Sequence, residues 1–130
     1  MAPAALTTAK IVTIYDELFN GPYPEVGIVH ELGHAWDWDT WASESLGDFV
    51  GDEPRPTNYA WTNAEEHWAE TVAGWVYPDY PAQERRTRRV AGELGPLHQQ
   101  YMALAVSGEI PVPSWTELPD LGILEGSTPP

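Results

Sequence analysis

The chain has no cysteine. Disulfides, thiolate metal ligands and cysteine nucleophiles are excluded at once. Basic residues are scarce: 6 Lys and Arg stand against 20 Asp and Glu, for a formal net charge of −14. No nucleic-acid partner is expected, because affinity for phosphate needs a basic footprint. Four of the basic residues cluster at Arg85, Arg86, Arg88 and Arg89, expected on a solvated helix face that offsets nearby carboxylates. No apolar run approaches the roughly 18–20 residues of a membrane span. The opening MAPAALTTAK lacks the basic start and apolar stretch of a signal peptide. No membrane partner is therefore expected, and no signal peptide within this sequence, although a processed chain would begin in the same way. Phe and Met are rare at two each, but seven Trp and six Tyr provide large areas to bury.

What is there fits one domain over residues 1–130, with 1–9 and 117–130 expected to be irregular. The β-branched run in KIVTIYDE predicts a short strand at Ile11–Tyr15, and Asn20-Gly21-Pro22 reads as a turn. Pro24 suits a first helical turn. Val29, Leu32, Gly33 and Trp36 then repeat at the spacing of one buried helical stripe, so a helix is predicted over about Pro24–Trp38. Residues 39–56 read as a long connection with at most one helical turn. Asn63 followed by Ala64-Glu65-Glu66 marks a helix start. Ala64, Trp68, Val72 and Trp75 carry that helix to about Tyr77, where Pro78 and Pro81 end it. A polar helix is expected over Pro81–Glu93 and a last one over Pro96–Val106, closed by Gly108. The Trp residues are expected mostly in the core, and His98 as structural or solvent-facing. The fold class predicted is α+β and mostly helical.

One stretch carries chemistry. VHELGHA places His30 and His34 four residues apart with Glu31 between them. On a helix, positions i and i+4 share a face about 6 Å apart along the axis, so two imidazoles can meet one ion. Glu31 lies about 100° round from His30, too far to be a close ligand but able to reach a water on the metal. Two ligands and a general base are the logic of His-Glu-x-x-His. Gly33 costs the helix about 1 kcal/mol against Ala, which suggests a close neighbour there.

The third ligand sets the subtype. A third histidine six residues after His34 would be needed for a metzincin, but that position is Thr40, and the expected glycine is Asp37. A peptide deformylase would need a thiolate. Asp37 and Asp39 stand too near the helix end to close a tetrahedral site easily. Glu66 and Glu70 are the better pair, at i and i+4 on one face of the second helix, with small neighbours Ala69 and Ala73. Glu66 then either binds zinc or merely complements the helix N-terminus. In the first case Glu70 orients a ligand histidine from behind, and Asp37 is a further carboxylate behind the ligands.

HELGHAWD followed by NYAWTNAEEHWAE resembles the catalytic centre of the anthrax lethal factor-like metallopeptidases, within the gluzincins. The likeness is strongest over Ile28–Asp37 and Tyr59–Glu70. It implies His30, His34 and Glu66 as ligands of one Zn2+ and Glu31 as catalytic base. It also implies Tyr59 as a hydroxyl facing the reacting centre and Glu70 as the second acid of the ligand helix. His67 falls where the family often has an aromatic residue, turned about 100° away from Glu66. The resemblance further implies a zincin-like fold, here in a minimal form. An active-site helix and a glutamate-bearing helix would accompany one short edge strand or a small sheet that holds substrate by backbone pairing. Zincin domains usually carry several strands and a backing helix before the active-site helix, whereas 29 residues precede His30 here. Either the version is minimal or upstream structure lies outside this chain.

The expected function is zinc-dependent hydrolysis of peptide bonds in a peptide or protein substrate. Two other readings compete with it. One is a zinc-stabilised binding module without turnover, and the other is a metal-free acidic interaction module.

Overall fold

Four helices carry the described part of the chain, which in this computed structural model comprises residues 5–8, 11–14 and 24–110. Two strands precede them, β1 (Ala5–Thr8) and β2 (Ile11–Ile14), paired antiparallel with Ala5 opposite Ile14 and Thr8 opposite Ile11. The helices are α1 (Pro24–Thr40), α2 (Ala42–Val50), α3 (Ala64–Val76) and α4 (Pro96–Val106). The architecture is mostly helical with a small strand component. Among the described residues no helix is long and apolar enough to cross a membrane.

β2 covers the predicted strand except for Tyr15, which lies outside the described residues. β1 corrects the irregular start expected over 1–9. Its two threonines suit a strand, but ALTT is too short to form one alone, and pairing with the β-branched IVTI run completes it. Both strands lie against α1.

α3 is the central helix. Every residue from His67 to Gly74 is buried, as expected of a helix covered on all sides. Its largest interface is with α1, and the reason is local. A Cβ on Gly33 would stand 3.3 Å from both Ala69 Cα and Val72 Cβ, so glycine lets the two backbones approach. Trp68 seals the crossing by donating its indole N–H to the Gly33 carbonyl at 2.8 Å.

The core joins Trp68 and Val72 of α3 to Ala42, Leu46 and Val50 of α2 and Tyr101, Met102 and Ala105 of α4. The α1 stripe is only partly as expected. Val29 and Trp36 pack on the core, but Leu32 is 53% exposed, since it stands about 100° round from Gly33. Trp68 is fully buried, whereas Trp38, Trp61 and Trp75 are exposed. Helical spacing thus overstated the share of tryptophan in the core.

Two connections differ from expectation. Residues 39–56 contain the nine-residue α2, whose Ala42, Leu46 and Val50 repeat every four residues among acidic and small neighbours. The turn into it is made by Trp41, held in the left-handed region at φ 57°, and by Asp37, whose carboxylate accepts the Ser43 amide at 2.8 Å. Residues 81–93 are not a helix beyond a 3-10 turn at Pro81–Gln83. Thr87 draws the amides of Arg89 and Val90 onto its hydroxyl, in competition with helical bonding. Backbone bonds to Arg55 and Pro56 then strap the segment in place. The arginine cluster is therefore not on a helix face. The Arg55 and Arg89 guanidinia each lie over the Trp61 ring, at 4.1 and 4.0 Å from its centroid.

Candidate metal centre

α1 presents His30 and His34 one turn apart, and α3 presents Glu66 opposite them across the Gly33 contact. The two imidazole centroids are 4.9 Å apart. Both Nε2 atoms converge on one oxygen, Glu66 Oε1, at 3.1 Å from His30 and 2.5 Å from His34. One ligand atom from each of the three residues lies within 4.8 Å of the others. Two imidazole nitrogens and a carboxylate oxygen form a donor set suited to Zn2+, in the number that leaves a catalytic ion an open position.

The N-terminus of α3 supports this orientation. Asn63 is its cap, and its side-chain oxygen accepts the Glu66 amide at 2.8 Å. The Glu66 backbone is thereby satisfied locally while its carboxylate turns to the histidines. Tyr59, at the start of a 3-10 turn (Tyr59–Trp61), donates its hydroxyl to the other Glu66 oxygen, Oε2.

His30 is held from behind. Its Nδ1 lies 2.8 Å from Glu70 Oε2, a buried contact. An Nδ1–H donated to Glu70 leaves Nε2 facing Glu66. Glu70 is itself fixed, because Oε1 accepts both the Thr57 hydroxyl and the Tyr80 hydroxyl at 2.7 Å. Thr57 is fully buried. These two supports were not legible in the sequence. Thr57 precedes α3 in an irregular segment and Tyr80 lies beyond its end, so no periodicity links either to Glu70.

Electrostatics bind the cluster together. Burial alone would lower the His30 pKa, but hydrogen bonds to Glu66 and Glu70 and their charges prevail and push it up to about 9. Burial alone would raise the Glu66 pKa, yet hydrogen bonds with His30, His34 and Tyr59 hold its carboxyl far below the usual range. The Tyr59 hydroxyl is pushed up, chiefly by its hydrogen bond to Glu66.

Glu31 is buried at 8% exposure, with Oε2 3.7 Å from His30 Nε2. It stands beside the cluster without being one of its three converging donors. Asp37 is one turn beyond His34 and caps α2 through Ser43. Burial raises its pKa, offset in part by the Ser43 hydrogen bonds. His67 points elsewhere. It is buried, with Nε2 2.8 Å from His98 Nε2, and His98 Nδ1 meets Glu53 Oε1 at 2.6 Å. His98 is fully buried and so structural, not solvent-facing.

Comparison with protein-family models, curated proteins and solved structures gives no match for this chain.

Proposed function

We propose that this chain is a zinc-dependent peptidase of gluzincin type, built on a minimal zincin-like fold. The observation that carries the reading is the meeting of His30, His34 and Glu66 from two helices within 4.8 Å, with the Glu31 carboxylate beside them. His30, His34 and Glu66 would hold one Zn2+ per chain. When bound, the ion supplies a Lewis acid that polarises a peptide carbonyl and acidifies water.

The protein's own groups then divide the work. Glu31 takes a proton from the attacking water onto its carboxylate and later delivers it to the leaving amine, a role worth about 10²–10⁴-fold in rate. Tyr59 turns its hydroxyl from Glu66 to the tetrahedral oxyanion and donates to it. Glu70 keeps a proton on His30 Nδ1, so that Nε2 faces the metal position. The likeness of HELGHAWD and NYAWTNAEEHWAE to the anthrax lethal factor-like family supports the same assignment.

The test is cleavage of a broad peptide library by the zinc-loaded protein and by Glu31→Gln. The wild type cleaves, a chelator stops it, and Glu31→Gln keeps its zinc but loses at least about 100-fold in kcat/KM. A wild type that binds zinc tightly and cleaves nothing is instead a zinc-stabilised binding module.

A further inference from the structure

A second feature lies against the same centre. A cavity of about 370 Å³ opens where α1 ends and α2 begins, and His34 forms part of its wall. That volume falls within the range of ligand pockets, about 300–1,000 Å³. Trp38 and Trp41 line it, together with three acidic residues, Asp37, Glu44 and Glu65. No lysine or arginine is among its described lining residues.

We propose that this cavity is a specificity subsite that takes a lysine or arginine side chain of the substrate, next to the bond to be cleaved. The proposal rests on the peptidase reading, because it is that reading which makes His34 a metal ligand and the cavity its neighbour.

The chemistry of the walls selects the ligand. Indole faces attract ammonium and guanidinium groups and also cover the apolar stem of a long basic side chain. Carboxylates at the same wall form charge-assisted hydrogen bonds with the head group. Glu44 and Glu65 are exposed and can turn to meet it. Asp37 is half-buried at the same wall, held by the Ser43 amide. An acidic substrate side chain would meet like charge there, and a neutral aliphatic one would gain only the indole contact.

Two measurements on the zinc-loaded protein test this. The first profiles a peptide library for residue preference on either side of the scissile bond. Lysine and arginine are expected to be enriched at one flanking position, and Glu44→Gln to reduce the kcat/KM of those peptides while sparing matched norleucine peptides. The second titrates zinc-loaded Glu31→Gln with N-acetylargininamide and N-acetylnorleucinamide, followed by the Trp38 and Trp41 indole resonances. The arginine probe is expected to bind at least about fivefold tighter, and Glu44→Gln and Trp38→Ala each to erase most of that margin. Cleavage without regard to basic residues, with equal binding of the two probes, overturns the subsite and leaves the peptidase reading standing. Selective binding of the arginine probe without any cleavage supports the ligand class of the cavity and overturns the peptidase reading.

Discussion

The Glu70 carboxylate divides its two oxygens between different tasks. Oε1 accepts from Thr57 and Tyr80, and Oε2 faces His30 Nδ1. Because both hydroxyls pull on one oxygen, the other is aimed with little freedom to rotate. Removing such support behind a metal ligand typically costs 10–100-fold in affinity. Glu70→Gln is therefore expected to weaken zinc binding by about 10–100-fold, and Tyr80→Phe to weaken it less, because Thr57 remains. Chelator competition measures both, and unchanged affinity in Glu70→Gln would remove its assigned role. At this scale the sequence was informative where spacing along one helix decides the geometry. His30 and His34 had to share a face, and Glu66 and Glu70 likewise. It was silent on Thr57 and Tyr80, whose contact with Glu70 depends on how irregular segments fold back over α3. It was also silent on the His67–His98–Glu53 chain, which joins residues distant in sequence.

Among the elements, the α1–α3 crossing decides whether two histidines can meet a glutamate from another helix. Gly33 leaves room for Ala69 and Val72, and the Trp68 indole bonds across the gap. Gly33→Val should push the helices apart and cost about 1–3 kcal/mol by overpacking. Zinc affinity should fall with it, because Glu66 rides on the displaced helix. Thermal unfolding with and without zinc reads both effects, and a variant of wild-type stability and affinity would show that the crossing tolerates a wider spacing. α1, α3 and α4 were legible from their caps, prolines and apolar repeats. α2 was missed because its acidic and small residues resemble a loop, and its burial becomes plain only when α3 and α4 cover Ala42, Leu46 and Val50. Residues 81–93 erred the other way. Their polar composition suited a helix, but the Thr87 hydroxyl and the strap to Arg55 and Pro56 offered the backbone other partners. The last helix also depends on a distant group. Glu53 accepts the amides of Leu97 and His98, and Gly95 leaves the space its carboxylate occupies, since a Cβ there would lie 2.4 Å from Glu53 Cδ.

For the whole molecule, buried histidines make stability depend on pH in opposite directions. His67 is lowered from 6.5 to about 3, first by burial and then by the charges of Arg55 and His98. His98 is lowered as well, again chiefly by burial. In the pair, His98 Nδ1–H donates to Glu53, which leaves His98 Nε2 to accept from His67 Nε2–H. The unfolded chain binds protons below pH 6.5 that the folded pair refuses. The pair's contribution is present above pH 6.5 and is lost as pH falls, for His67 down to about 3. Glu66, with its pKa depressed, also loses its contribution on the acid side. His30 has the opposite sign. With its pKa raised to about 9, its contribution is full below pH 6.5 and is lost as pH rises through 9. Chelator-treated protein should therefore be most stable near pH 6.5, with urea midpoints falling on both sides. Saturating zinc should flatten the alkaline limb by taking the place of the His30 proton. Midpoints that rise steadily from pH 6.5 to 9 without metal would contradict this assignment.

The central claim is that His30, His34 and Glu66 together hold one zinc. The most direct measurement is zinc content per chain, with X-ray absorption at the zinc edge, on the wild type and on His34→Ala and Glu66→Ala. The account predicts close to one zinc per chain and two imidazole nitrogens at about 2.0–2.1 Å together with oxygen ligands. It also predicts loss of most of the bound metal in either variant. A wild type that purifies and reconstitutes without zinc, or a Glu66→Ala protein that keeps its metal with wild-type affinity, would contradict it.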